Sequence, residues 1–274
     1  YQAFLNDLGV RKLRISLDWD VVEPEKGKYD FSDIDWQVVQ AEKKGAKLIL
    51  AIGMKTPRWP ECHQPKWVDF SQPEAGDYLL TYLKKVIERY KNSPAVFAWQ
   101  IENEPFFPFG KCPKFDKELF KKEVLLARSV DPKRPIIVSD SGEYSLWFKA
   151  ARYGDIVGIT MYKKVWLDNF HAYFNYFFPP VFYQRKAILV NKIFHKKVIC
   201  LELQAEPWGP RLIYDNLPLE EQEKTMNLDQ FRKNIKFARD TGLDTFYLWG
   251  GEWWYWLKIK QNQPQIWNEA KKLF

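Results

Sequence analysis

The chain has 274 residues, 46% hydrophobic and 28% charged, with a formal net charge of +7. That balance excludes a disordered chain, and the length suits one large domain such as an α/β barrel of about 250 residues. The lysines are scattered through stretches such as "AEKKGAK" without a basic stripe or interleaved aromatics, so nucleic acid is excluded as an expected partner, and no apolar run reaches the roughly 20 residues of a membrane span.

In chain order, "YQAFLNDLG" has helical spacing at Ala3, Phe4 and Leu8 and a stop at Gly9. "RKLRIS" predicts a strand ending at Ser16, followed by a helix from about Ser32 to Lys44 that stops at Gly45. "AKLILAIG" is strand-like and "YLLTYLKKVIERYK" helical; "AVFAWQI" and "KELFKKEVLLARSV" repeat the alternation, as do "RPIIVSD" and "YSLWFKAARYG". "DIVGITMY" precedes a long aromatic segment and the helix "VFYQRKAILVNKIF". "KKVICLE", the helix at "LDQFRKNIKFARDTG", "DTFYLWG" and a terminal helix complete the set. Strands that alternate with helices and read as continuous apolar runs predict a parallel sheet covered on both faces. Seven strands preceded by a helix suggest a (β/α)8 TIM barrel that lacks its first strand, one domain over 1–274, truncated at its N-terminus. The alternative, a doubly wound open sheet, finds no Gly-rich phosphate loop after any strand.

The C-terminal strand ends of a barrel carry its chemistry. Here they hold Arg14, Asp18 and Trp19, then Lys55, Arg58, Trp59, Glu61 and His63, then Asn103 and Glu104, then Asp140, Ser141 and Glu143, then Tyr162, then Glu202 and Gln204, and last Trp249 and Glu252. Two glutamates on different strands suit glycoside hydrolysis, in which one carboxyl protonates the leaving oxygen and the other attacks the anomeric carbon. A chain with 13 tryptophans also has aromatic surface to stack on sugars. Cys62, Cys112 and Cys200 match no zinc spacing, and with three histidines no metal or other cofactor is expected. Cys200 reads as a buried apolar residue. Cys62 and Cys112 fall in loops after adjacent strands, where a disulfide and two free thiols both remain open; a bridge implies an extracytoplasmic or secreted protein.

"WQIENEP" resembles the Asn-Glu-Pro signature at the fourth strand of clan A glycoside hydrolases, the retaining β-glycosidases on (β/α)8 barrels. "LRISLDWDVVEPEKGKYDFSDID" is similar to the second-strand segment of that clan, "LELQAEPW" to the seventh-strand segment of family 42 β-galactosidases, and "FYLWGGEWW" to the eighth-strand tryptophan. "PRWPECHQPKW" departs from the clan pattern. The resemblance implies that Glu104 is the acid/base, that Asn103 holds the sugar 2-hydroxyl, that Arg14 and Tyr162 hydrogen-bond the nucleophile, and that Trp249 lies under the sugar. Trp19, Gln204, Glu206 and Glu252 complete the expected substrate-binding set.

For the nucleophile, Glu202 and Glu206 compete. Alternation along "KKVICLE" puts Val198, Cys200 and Glu202 on one face, which favours Glu202 at the strand end over Glu206 in the loop, a sugar-binding or solvated residue. The same alternation turns Glu102 toward the strand–helix layer, a structural position. The expected partner is an oligosaccharide or polysaccharide; a non-catalytic carbohydrate-binding barrel is the alternative. The aromatic segment 166–190 is expected to be a long loop folded over its own helix rather than a membrane-surface or subunit contact. The sequence names neither the sugar nor the oligomeric state.

Overall fold

The computed structural model describes residues 1–210 and 217–274. Two compact units divide the chain: Tyr1, Arg11–Asp140 and Phe148–Gly158 form one, and Gln2–Val10, Ser141–Trp147 and Ile159–Phe274 the other.

In the first unit, strand β1 (Lys12–Ser16) leads into a short helix α1 (Trp19–Val22) and then α2 (Ser32–Lys43). Helix α2 buries Ile34, Val38 and Ala41, the one-face spacing of an amphipathic helix, and Gly45 at φ 63° ends it in a left-handed turn. Strand β2 (Lys47–Ile52) is buried from Leu48 onward, as a strand covered on both faces must be. Helix α3 (Ala75–Tyr90) buries Leu79, Tyr82, Leu83, Val86, Ile87 and Tyr90. Strand β3 (Val96–Ile101) follows, then α4 (Lys117–Val130), whose first turn is capped by Asp116 accepting from the amides of Glu118 and Leu119. Strand β4 (Ile136–Asp140) and helix α5 (Phe148–Tyr153) come next. Strands β1, β2 and β3 pair in parallel, with Ser16 opposite Ala51 and Ile52 opposite Ile101. That register brings Asp18, Lys55, Asn103 and Glu104 off the same end of three neighbouring strands.

Strand β5 (Ile156–Met161) crosses the boundary between the units. In the second unit, the aromatic segment is a β-hairpin, β6 (Lys164–Leu167) against β7 (Ala172–Asn175), where a loop was expected. Helix α6 (Pro180–Phe194) starts on a proline at its first position, which needs no intrahelical N–H. Strand β8 (Lys197–Gln204) is followed by α7 (Leu219–Glu223), α8 (Leu228–Asp240) capped by Asn227, and strand β9 (Phe246–Trp249). Strands β8 and β9 pair in parallel, ending with Gln204 opposite Trp249. The expected terminal helix is two helices, α9 (Gly251–Lys260) and α10 (Gln265–Ala270), interrupted before Pro264, which fits only at a helix start. The N-terminal Phe4–Leu8 is a single π-turn closed by Gly9 at φ 78°. Its Asp7 accepts hydrogen bonds from Lys258, Lys271 and Trp267, all within the second unit.

Seven strands make one sheet in the order β1-β2-β3-β4-β5-β8-β9. Strand–helix alternation around such a sheet is the (β/α)8 fold with one strand fewer than eight among the described residues. Among those residues no helix is long and apolar enough to cross a membrane.

Candidate active site

In the first unit the polar groups beyond β1, β2 and β3 form one network. Asn103 and Glu104 are both buried. Asn103 Oδ1 accepts from Arg14 Nη2 at 2.9 Å, and Arg14 Nε donates to Gln100 Oε1 at 2.7 Å. The other half of the amide, Nδ2, donates to Glu61 Oε2 at 3.0 Å. With its oxygen facing a guanidinium and its nitrogen facing a carboxylate, the Asn103 amide has one stable orientation. Glu104 sits at φ 42°, and its N–H donates to Ser139 Oγ at 2.8 Å. Its carbonyl receives Lys55 Nζ at 3.1 Å, and the same ammonium reaches the carbonyl of Phe107 at 2.8 Å. A non-glycine residue in the left-handed region persists only where its surroundings hold it, and here Ser139 and Lys55, on two other segments, do so.

Glu102, also left-handed at φ 56°, turns away from this network. Its carboxylate accepts from the backbone amides of Met54 and Lys55, so it braces the end of β2. Gly53 stands where a Cβ would meet Glu102 Oε1 at 2.5 Å, so only glycine admits this brace. Behind it lies Glu123 of α4, likewise buried. Burial pushes both carboxyls above the ordinary carboxylate range; Glu123, which also faces the Glu102 charge, moves further and holds the proton between them.

Cys62 and Cys112 are joined in a disulfide with Cα atoms 5.2 Å apart, linking the loop after β2 to the loop after β3; Cys200 is buried and takes no part in a disulfide. The linked loop carries Glu61, which the sequence places at a strand end without marking it for a role. Its signal was only the departure of "PRWPECHQPKW" from the clan pattern. His63 lies 3.8 Å from Asp20 and 4.0 Å from Asp18, and Thr56 donates to Asp18 at 2.6 Å.

In the second unit the centre is Glu202, buried at the end of β8. Tyr162 Oη donates to Glu202 Oε2 at 2.8 Å. Tyr162 is itself fixed twice. Its N–H donates to Glu143 Oε1 at 2.9 Å, and its ring meets Trp208 edge-on, centroids 4.9 Å apart. Tyr183 Oη donates to the same Glu143 oxygen at 2.9 Å. Burial raises Glu143 to about 7, against the opposing pull of those two donors and of the Lys186 charge. Lys186, buried beneath it, donates to the carbonyls of Gly142 and Ser145 and lies 4.1 Å above the Trp147 and Phe182 rings. Trp249 is half-buried and packs on the cluster of Tyr162, Val165 and Tyr176.

Four further residues of the expected substrate-binding set have these surroundings. Trp19 is wholly buried: the chain turns into α1 at once, stacking its ring on Tyr82 at 5.4 Å and turning its Nε1 to Glu23. Gln204 is occupied by backbone, accepting from the amides of Lys163 and Lys164 and donating to the carbonyl of Lys164, so it ties the hairpin to β8. Glu252 is exposed in the first turn of α9, where a carboxylate complements the helix dipole. Glu206 is not solvated: it is buried, with its Cβ 2.4 Å from where a Cβ on Gly250 would stand. Among the described residues no group of three or more His, Cys, Asp or Glu side chains could hold a metal ion.

An Asn-Glu pair closing one strand and a tyrosine-bonded glutamate closing another, on strands of a (β/α)8 sheet, mark the class as clan A glycoside hydrolase. Residues 29–207, more than half of the chain, match the glycosyl hydrolases family 2, TIM barrel domain, and the chain belongs to that family. The seventh-strand likeness to family 42 thus lies within the wider clan. A mannan endo-1,4-beta-mannosidase A of Emericella nidulans is 26% identical over 157 residues, 54% of this chain and 40% of the relative. An endo-1,4-beta-xylanase 3 of Hypocrea jecorina is 27% identical over 171 residues, 60% of this chain and 46% of the relative. The chain spans less than half the length of the curated relatives it matches. In fold it is similar to the beta-galactosidase of the psychrophilic Marinomonas ef1, at TM-score 0.59 and 14% identity, covering 89% of this chain and 50% of that one.

Proposed function

We propose that this chain hydrolyses β-glycosidic bonds of an oligosaccharide or polysaccharide with retention, with Glu202 as nucleophile and Glu104 as acid/base. The observation that carries the reading is the 2.8 Å hydrogen bond from Tyr162 to Glu202. A hydroxyl donor fixes the direction of the buried carboxylate, which a nucleophile at a strand end needs. Glu202 attacks the anomeric carbon as the glycosidic C–O bond breaks, and the Glu104 proton goes to the leaving oxygen. Glu104 then takes a proton from water, whose oxygen attacks the glycosyl ester, and Glu202 leaves as carboxylate. Such a mechanism needs carboxyls about 5–5.5 Å apart. Asn103, oriented by Arg14 and Glu61, offers an amide to a sugar hydroxyl. The names of the relatives, a mannanase and a xylanase, support a β-linked carbohydrate as the substrate class.

Labelling with 2-fluoro β-glycosides followed by peptide mapping tests the assignment, and the label is expected on Glu202. Glu104→Ala should retain activity on aryl glycosides with good leaving groups and regain speed with azide. Label on Glu206, or azide rescue of Glu206→Gly but not of Glu202→Gly, would overturn it.

A further inference from the structure

The departure in "PRWPECHQPKW" is built into the structure with more order than a surface loop requires. Lys55 and Cys62 form an antiparallel bridge, and the Thr56 amide donates to the Glu61 carbonyl. The Lys111 amide donates to the Pro60 carbonyl, and the disulfide to Cys112 closes the other side. Gly110, at φ 94°, lies where a Cβ would meet Glu61 Cβ at 2.5 Å. On this fixed loop Trp59 is 44% exposed. Its ring meets Phe109 edge-on at 6.0 Å, and Phe109 stacks on Phe107 at 6.3 Å and 16°. The Phe107 amide donates to the Glu104 carbonyl at 3.0 Å. A ladder of three rings therefore runs from Glu104 to a half-exposed indole, with the Lys111 ammonium 5.7 Å from the indole centroid on one side, and two residues after that indole Glu61 holds the Asn103 amide.

A half-exposed tryptophan held by a staple, a bridge and a neighbouring ring loses little freedom when a flat ligand stacks on it. We propose that Trp59 is the platform of a leaving-group subsite that takes a pyranose ring on the departing side of the cleaved bond. The side follows from the ladder's origin at Glu104, the group assigned to protonate the departing oxygen, so the inference rests on the function proposed above. The sugar presents its axial C–H face to the indole, and Glu61 couples the platform to the amide that holds the glycone.

The test compares Trp59→Ala and Trp59→Phe with wild type on two substrates of one sugar. One is a β-1,4-linked tetrasaccharide, chosen from manno-, xylo-, gluco- and galacto-series by wild-type rate. The other is the β-glycosyl fluoride, whose leaving group occupies no sugar subsite. Trp59→Ala should lose about tenfold in kcat/KM on the tetrasaccharide and less than twofold on the fluoride, with Trp59→Phe between. Equal losses on both substrates, or none on the tetrasaccharide, would overturn the subsite. If wild type cleaves neither substrate, the glycosidase reading fails by itself. Calorimetric titration of the same tetrasaccharides then decides the platform: binding that weakens fivefold or more in Trp59→Ala upholds it, and unchanged or absent binding overturns it.

Discussion

Replacing Glu143 by Gln should remove a defined part of the pH dependence of stability. The carboxyl is buried, and burial raises it from 4.5 to about 7 while the Tyr162 amide and the Tyr183 hydroxyl donate to one oxygen. An unfolded chain releases this proton near 4.5 and the folded chain near 7, so between those values the folded state binds more protons. Stability contributed by this group is therefore full below pH 4.5, falls as pH rises toward 7, and is flat above. A displacement of that size corresponds to about 3 kcal/mol, at 1.36 kcal/mol per unit. Glutamine has the same shape, keeps an oxygen for both donors and does not titrate. Urea unfolding of wild type and Glu143→Gln at pH 4.5, 5.5, 6.5 and 7.5 should show the variant gaining on wild type by about 3 kcal/mol across the series. The buried pair Glu102 and Glu123 adds a slope of the same sign to both proteins and cancels in the difference. Parallel stability curves for the two proteins would refute the burial argument.

Tyr162→Phe deletes the donor to Glu202 and should cost roughly 10- to 100-fold in kcat/KM on aryl glycosides, the worth of a hydrogen bond to a charged group, with the melting temperature little changed. Gly142→Ala puts a Cβ 1.7 Å from the Thr160 carbonyl oxygen, a backbone atom that cannot swing aside; it should destabilise by about 3 kcal/mol or more, seen as loss of soluble protein or an early melt. Cys62→Ser with Cys112→Ser opens a loop of 50 residues and should lower stability by about 4 kcal/mol in urea unfolding by the chain-entropy estimate.

The sheet strands were legible because a strand covered on both faces is a continuous apolar run, as in residues 48–52 and 136–138. The β6–β7 hairpin was not, because its segment leaves Phe170 and Phe177 exposed, at 75% and 84%, and aromatics in such numbers hide the alternation of a strand. Glu202 could be placed by counting along one strand. Gln204 shares its parity and was placed with it, but its amide answers backbone groups 40 and 41 residues earlier, a pairing that no local spacing reveals. Trp19 failed for a similar reason: its position after a strand was right, yet the helix that begins there turns the ring into the core. Glu61 was visible only as a residue, since its partner Asn103 lies 42 positions away.

The link between Cys62 and Cys112 turns the chain from one loop to the other, with α3, β3 and Glu104 inside it, into a covalent ring. A protease that cuts the ring once, at any bond between those cysteines, leaves every atom of the polypeptide attached; a single cut outside it yields two pieces. Glu104 and the strand that presents it thus occupy the stretch of this sequence where one nick releases nothing until a reductant arrives.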